Sequence, residues 1–276
     1  MGTNISWTDE TVNPIQGVRP NHWFCRHVSP GCDNCYADTF NRRLGGAPFG
    51  DPWFHNDSIS SNLRLDMGQF KKLRRLPAGS KVFVCDMTDL FGEWVPDEWI
   101  SHIFAFMELN TQLVFQVLTK RPQRMLDWCR EHAPIGRNIW LGTTVESSDY
   151  VWRLNYLAET PAAVRFVSFE PLLGDLGDLS KWLWTVNRNF ATMSSRALES
   201  GASEEAYPSA VIQWAIIGGE SGPKRRLFDL AWARDIKRQC DDAGVAVWFK
   251  QTGGLRPGMG EDALGAVYHE FPTVTA

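Results

Sequence analysis

The chain has 276 residues, long enough for one large domain or two small ones with a sizeable core. Hydrophobic residues make up 43% of it and charged residues 22%, an ordinary globular balance that excludes a disordered or fibrous class. The net charge of −4 gives no bulk support for nucleic-acid binding.

No stretch approaches the ~20 apolar residues of a membrane span. The N-terminus carries neither a basic region nor an apolar one of the secretory kind. The chain is therefore expected to be cytoplasmic and free of any membrane, which suits free thiols. Most of the thirteen tryptophans are expected in the core or in walls, with a few free to serve as stacking platforms.

In chain order, Ile5-Ser6-Trp7 is predicted as a short first strand and Asn13-Pro14 as the turn that follows. The densest chemistry comes next. Cys25, Cys32 and Cys35 fall within eleven residues in the pattern C-x6-C-x2-C, whereas Cys85, Cys129 and Cys240 are scattered. Close thiols joined by short, turn-forming spacers mark a metal or iron–sulfur site. Ser29-Pro30-Gly31 supplies a bend that can fold Cys25 over the other two, because proline fixes φ and glycine tolerates positive φ. Tyr36 to Leu44 reads as a helix with Tyr36, Phe40 and Leu44 on one side, closed by Gly45-Gly46. The thiols are thus expected at a helix N-terminus, whose partial positive charge favours thiolate. Three thiolates on a [4Fe–4S] cluster leave one iron open to an outside ligand. Zinc is the alternative, with His22 or His27 as fourth ligand, although no second cysteine pair follows. A disulfide fits worse, since three is odd. Cys85, at a strand end, is the competing fourth ligand for the cluster.

Residues 46–62 read as loop, rich in Gly, Pro, Asn, Asp and Ser. Met67 to Leu76 is predicted helical, with Met67, Phe70 and Leu73 on one side. Its Lys71, Lys72, Arg74 and Arg75 read as a solvated face, with phosphate binding as the alternative. The chain then alternates. Apolar runs start near positions 82, 113, 139, 164, 213 and 245, mostly 25 to 32 residues apart. Helices are predicted from Pro96-Asp97, over Gln123 to His132, from a Ser148 cap, and from an Asp229 cap to Gly244. Residues 175–210 read as an insertion, partly helical around Trp182 and Trp184. Such alternation implies βαβ units and a parallel sheet. The expected fold is a single α/β domain, a partial or complete parallel (β/α) barrel of the TIM-barrel kind.

In that fold the strand ends share one mouth, where active sites sit. The six runs end in Asp89, Lys120, Glu146, Glu170, Glu220 and Lys250, which polar loops alone explain less well than a common site does. Lys120 and Lys250 are candidates for carboxylate or phosphate groups. Arg121 beside Lys120 is a further substrate-binding candidate, although this basic pair can also simply meet a neighbouring carboxylate. Asp89 and Glu146 complete the substrate-binding candidates.

Several stretches, in order, resemble the phage Gp37/Gp68 family, also described as DUF5131 and radical-SAM-like. They are Asn13-Pro14-Ile15-Gln16-Gly17, Ser29 to Ala37, Asp86 to Pro96, Leu118 to Pro122, Trp140 to Glu146, Ser168 to Gly174, and Gly218-Gly219-Glu220-Ser221-Gly222. One departure stands out: Val18 to Phe24 looks inserted before Cys25. The resemblance implies a [4Fe–4S] cluster on Cys25, Cys32 and Cys35 and S-adenosylmethionine (SAM) as cofactor. The open iron would chelate SAM, which the cluster cleaves with an electron from a donor such as a flavodoxin or ferredoxin. Gly218-Gly219-Glu220 resembles the Gly-Gly-Glu that receives the SAM amine in radical SAM enzymes, but it lies on a late strand. A tight strand-to-helix turn explains it as readily. Glu170 and Glu220 are candidates for amine and hydroxyl groups of SAM or substrate.

Two functions compete. The first is a radical-SAM-like enzyme acting on a nucleotide, nucleic acid or other substrate. The second is a non-catalytic iron–sulfur or zinc protein that binds nucleic acid or a protein partner. For the second, Arg42-Arg43, Lys71-Lys72, Arg74-Arg75 and Lys224-Arg225-Arg226 are the local phosphate grips.

Overall fold

The computed structural model describes residues 3–19, 22–49, 62–183 and 212–273. Its main sheet takes seven strands: β1 (Glu10–Val12), β4 (Lys81–Val84), β5 (Val114–Thr119), β6 (Ile139–Thr144), β7 (Val164–Phe169), β8 (Trp214–Gly218) and β9 (Ala246–Gln251). They lie in the order β1-β4-β5-β6-β7-β8-β9, and every neighbouring pair is parallel. The sheet curls into a half-barrel with β1 and β9 as its edges. The barrel is therefore partial, not complete. A small antiparallel pair, β2 (Ile15–Gly17) with β3 (Leu63–Leu65), stands beside it.

The strands form where the sequence is apolar on both faces, as a buried parallel sheet requires. One face packs under the helices: Val82, Val84, Phe115, Val117, Leu141, Val167 and Phe169 join Ile100, Ile103, Phe104 and Met107 of α2 (Asp97–Leu109) in the main core. The opposite, concave face is aromatic. Phe83, Trp140, Phe166, Trp214 and Trp248 gather there with Trp7 from the N-terminal segment. This floor lets the half-barrel stand without closing. Each buried tryptophan removes roughly 200 Å² from water, an upper estimate of about 5 kcal/mol. Toward the strand carboxyl ends the same face turns small and polar: Gly142, Thr144, Ser168 and Gly218. A Cβ on Gly142 would lie 2.6 Å from the Phe166 ring, so the floor itself needs glycine there.

Helix α1 (Tyr36–Arg43) precedes β3, and α3 (Pro122–Glu131), α4 (Arg153–Glu159), α5 (Ser180–Leu183) and α6 (Leu230–Ala243) follow α2. Helix α6 has the expected ends: the Asp229 side chain accepts from the Ala231 N–H at 2.8 Å, and Gly244 takes φ 70°.

Four expectations change. Ile5-Ser6-Trp7 is a turn, not a strand; Trp7 is apolar because it completes the aromatic floor, and the first strand is the more polar Glu10–Val12. Met67–Arg75 is a 3-10 helix, in which residues three apart eclipse. Ser148 caps nothing; a short 3-10 turn at Ser148–Tyr150 intervenes before α4. In α1 the residues Tyr36, Phe40 and Leu44 are exposed, while Ala37, Asp38 and Asn41 are buried. The polar pair goes inside because it satisfies loop backbone: Asp38 accepts from the Phe49 N–H at 2.7 Å and Asn41 from the Trp23 N–H at 2.9 Å. Of the loop at 46–62, residues 50–61 lie outside the described residues, as do 184–210 of the insertion.

Candidate functional site

Because the strands are parallel, their polar carboxyl ends fall on one edge of the half-barrel. Residues 22–35, with all three clustered cysteines, lie across that edge. The Thr88 hydroxyl after β4 donates to the Phe24 carbonyl at 2.5 Å. Arg121 after β5 donates to the Arg26 carbonyl at 3.3 Å. Arg226 after β8 donates to the Pro30 carbonyl at 2.9 Å, and Asn34 donates to Glu220 at 3.1 Å. Tyr36 donates its hydroxyl to the Asp86 carbonyl at 3.0 Å. At Gly31 the approach to β6 is close, since an added Cβ would lie 3.1 Å from Glu146 Oε1.

The charges on this edge are paired almost throughout. Buried Asp89 accepts from Thr119 Oγ1 at 2.6 Å, from the Lys120 N–H at 3.0 Å and from Arg121 Nη1 at 3.0 Å. Arg121 also meets Glu93 at 2.9 Å and lies over the Trp94 ring at 4.5 Å. Glu146 and Arg153 form a fully buried pair at 2.9 Å. Arg153 donates to the Thr144 carbonyl at 2.9 Å and stacks over Tyr150 at 4.4 Å. Among the described residues Glu146 Oε1 and Arg153 Nε have no hydrogen-bond partner. Glu170 holds Lys250 at 2.6 Å. Glu220 accepts from the Arg226 backbone N–H at 2.7 Å and from its Nε at 3.1 Å. Lys120 is the exception. It is half-buried, and among the described residues its ammonium has neither a hydrogen-bond nor an ion-pair partner.

Cys25, Cys32 and Cys35 are free thiols, each half-buried. Burial pushes Cys25 up to about 12, with Asp89 adding and Arg121 opposing. Burial also raises Cys35, while Lys120 draws it down and Cys32 draws it up. Cys25 in turn feels Cys35, so Cys35 is coupled to each of the other two thiols. Cys85 is buried at φ 65°, a left-handed conformation rare for residues with a side chain, and its thiol meets the Ile15 backbone. His22 is turned to the end of α1, with Nε2 at 3.1 Å from the Leu44 carbonyl. His27 Nε2 is buried and has no hydrogen-bond partner among the described residues. Among the described residues no group of three or more His, Cys, Asp or Glu side chains is arranged to hold a metal ion.

The predicted mouth residues thus divide. Glu170, Gly218 and Lys250 come together, since a Cβ on Gly218 would lie 3.4 Å from both Glu170 and Lys250. Lys120 acts on Cys35 only through its charge, which favours the thiolate. Asp89, Arg121, Glu146 and Glu220 are engaged in bonds beneath the cysteine segment. Gly219 is required by packing: a Cβ there would meet the Phe228 ring at 2.7 Å and the Gly253 nitrogen at 2.8 Å. The basic clusters divide too. Arg226 is tied to Glu220 and Arg42 to Asp38, whereas Lys224 and Arg225 are exposed.

Sequence reasoning missed Arg153 and Asn34 and misread Arg226. Arg153 follows Glu146 by seven residues and Arg226 follows Glu220 by six, each across one strand-to-helix turn. That proximity is the available signal, but it does not say which arginine turns inward.

Residues 2–270 match the family model described as a protein of unknown function, DUF5131. No curated protein and no solved structure matches the chain.

Proposed function

The chain belongs to the DUF5131 family, and we propose that it is a radical-SAM-like iron–sulfur enzyme. Cys25, Cys32 and Cys35 are the residues that would hold a [4Fe–4S] cluster, with SAM at its open iron. In kind the donors suit such a cluster, three free thiols on one segment, although among the described residues their arrangement does not gather three of them round a metal ion. The buried, unpartnered Glu146 Oε1 next to Gly31 also leaves an acceptor free under that segment. When bound, such a cluster supplies the electron that cleaves SAM reductively.

The protein's own residues would position and shield the reactants. Bonds from β4, β5 and β8 hold the cysteine segment over the concave face. The aromatic floor excludes water from below. The small residues above it leave room for reactants, and Gly218 keeps the Glu170–Lys250 pair accessible from the concave side. In this reading Glu170 serves amine or hydroxyl groups. Glu220 receives the SAM amine only by sharing itself with Arg226 and Asn34. Lys120, the one of the six strand-end charges with no hydrogen-bond or ion-pair partner among the described residues, supports an anionic reactant such as a nucleotide, nucleic acid or carboxylate. A flavodoxin or ferredoxin would supply the electron.

The observation that carries this reading is the placing of three free thiols, by bonds from separate strand ends, over the carboxyl edge of a parallel half-barrel. The test is anaerobic reconstitution, with iron, sulfide and the EPR signal of the reduced protein measured with and without SAM, and 5′-deoxyadenosine assayed. About four irons per chain are expected. Cys25→Ala, Cys32→Ala and Cys35→Ala should lose the cluster, and Cys85→Ala should keep it. A colourless protein with one tightly bound zinc would overturn the reading. His27 favours that second reading, because its buried Nε2 has no partner and suits a fourth zinc ligand. The protein would then be a non-catalytic metal protein that binds nucleic acid or a protein partner.

Among the described residues no helix is long and apolar enough to cross a membrane.

A further inference from the structure

A cavity of about 470 Å³ lies on the helical side of the sheet, between the 3-10 helix Met67–Arg75 and α2. Its volume falls in the range of small-molecule sites, about 300 to 1,000 Å³. Met67, Phe70 and Phe106 give it an apolar floor and wall, and Lys71 and Arg74 form its rim. The 3-10 geometry explains the grouping. Residues three apart eclipse, so Gly68, Lys71 and Arg74 share one face. Gly68 lets the Asp66 carboxylate close in, since a Cβ there would lie 2.8 Å from Asp66 Oδ1, and the two cations stand on the same face. Lys72 and Arg75 lie on another face, where Lys72 is held by Glu10 at 3.1 Å.

Lys71 and Arg74 are exposed and, among the described residues, make no ion pair or side-chain hydrogen bond. The one acid in the cavity, Asp66, is already engaged. It accepts from the Gly68 N–H at 3.0 Å and from Gln69 at 3.1 Å, and Arg64 lies 3.7 Å away. Phe106 is half-buried, its ring tilted by 33° against that of Phe70 with centroids 4.2 Å apart. The net character is therefore an aromatic wall under two free cations, on a chain whose total charge is −4. That local reversal of charge points to an anion with an apolar, planar body.

We propose that this cavity binds a nucleoside phosphate unit, with the base against Phe106 and Met67 and the phosphate between Lys71 and Arg74. Phosphate suits two convergent cations, and every base offers a face to an aromatic ring. The unit can come from a free nucleotide or from a single strand, because the chemistry is shared.

The test is isothermal titration of the full chain with AMP, adenosine, inorganic phosphate and a ten-nucleotide oligothymidylate at low salt. AMP, the oligonucleotide or both should bind, and adenosine should bind at least about tenfold more weakly. Binding of AMP assigns the site to free nucleotides, and binding of the oligonucleotide alone assigns it to a strand. K71Q and R74Q should each weaken binding about tenfold, while R75Q, on another face of the same helix, should leave it within about twofold. All three changed side chains are exposed, so folding is not at issue. The proposal is overturned if neither phosphate ligand binds, if R75Q costs as much as R74Q, or if inorganic phosphate binds as tightly as AMP.

Discussion

Arg153→Met should destabilise the protein far more than its place outside the cysteine motif implies. Arg153 is the cation for Glu146, and both side chains are buried, at 2% and 0% exposure. Removing it strands a carboxylate that already has one unpartnered oxygen, and it deprives the Thr144 carbonyl of a donor at 2.9 Å. Breaking a buried pair by removing one partner costs about 3–5 kcal/mol. In a domain of this size that corresponds to a fall in Tm of about 10 °C. The methionine retains much of the volume, so little of the loss comes from a cavity. The double variant Glu146→Leu with Arg153→Met removes both charges and should recover most of the loss, because a buried pair stabilises little over apolar residues of like size. The assay is thermal and urea unfolding of the three proteins by circular dichroism. An Arg153→Met protein that melts within about 2 °C of the parent would refute the reasoning, as would a double variant no more stable than the single one.

Two further outcomes follow from the same edge of the sheet. Burial works against ionisation of Glu220, but hydrogen bonds from Arg226 and Asn34 prevail and hold its carboxyl below the usual carboxylate range. Its contribution to stability is therefore whole above its unfolded pKa of about 4.3 and is lost as pH falls through the lower folded value. Glu220→Gln should melt below the parent at pH 7, with the gap narrowing as pH falls through the lowered folded value; a gap independent of pH would show that the carboxylate's charge is not what matters. Gly219→Ala places a Cβ against the Phe228 ring and the Gly253 backbone at under 3 Å, and should cost about 1–3 kcal/mol in urea unfolding. A neutral substitution there would return the Gly-Gly-Glu turn to a purely functional explanation.

The sheet was legible because burial on both faces writes continuous apolar runs, and each run from Lys81 onward became a strand. The first strand was not, because Glu10–Val12 is short and lies at the edge, where one side need not be apolar. Trp7 misled for the same reason in reverse: a buried tryptophan needs no strand around it. Helix α1 was legible in extent but not in orientation. Its apolar spacing put Tyr36, Phe40 and Leu44 inside, yet Asp38 and Asn41 took that place because loop N–H groups at Phe49 and Trp23 had to be satisfied. The three cysteines and the six strand-end charges could be read from spacing. Their partners could not, because an arginine pairs through a fold that brings its helix back over the strand end.

Those partners give the edge its functional logic. A half-barrel leaves its concave face open, so whatever reacts there must be covered by something other than the sheet. The cysteine segment does this, and the holds on it are distributed: Thr88 at Phe24, Arg121 at Arg26, Arg226 at Pro30, Glu220 at Asn34 and Tyr36 at Asp86. Each hold arises from a group whose charge or hydrogen bond is also anchored elsewhere, so the segment is fixed relative to several strands at once. The same pairing uses up the charges that would otherwise meet a reactant. Asp89, Glu146 and Glu220 serve the scaffold, and Glu170 and Lys250 form an exchangeable pair at under a fifth exposure each. Lys120, without a hydrogen-bond or ion-pair partner among the described residues, is the remaining uncompensated charge of the six. An unpaired, half-buried ammonium is unfavourable unless something completes it. In the proposed reading, the sign of that charge favours a reactant that brings a negative group to the carboxyl end of β5.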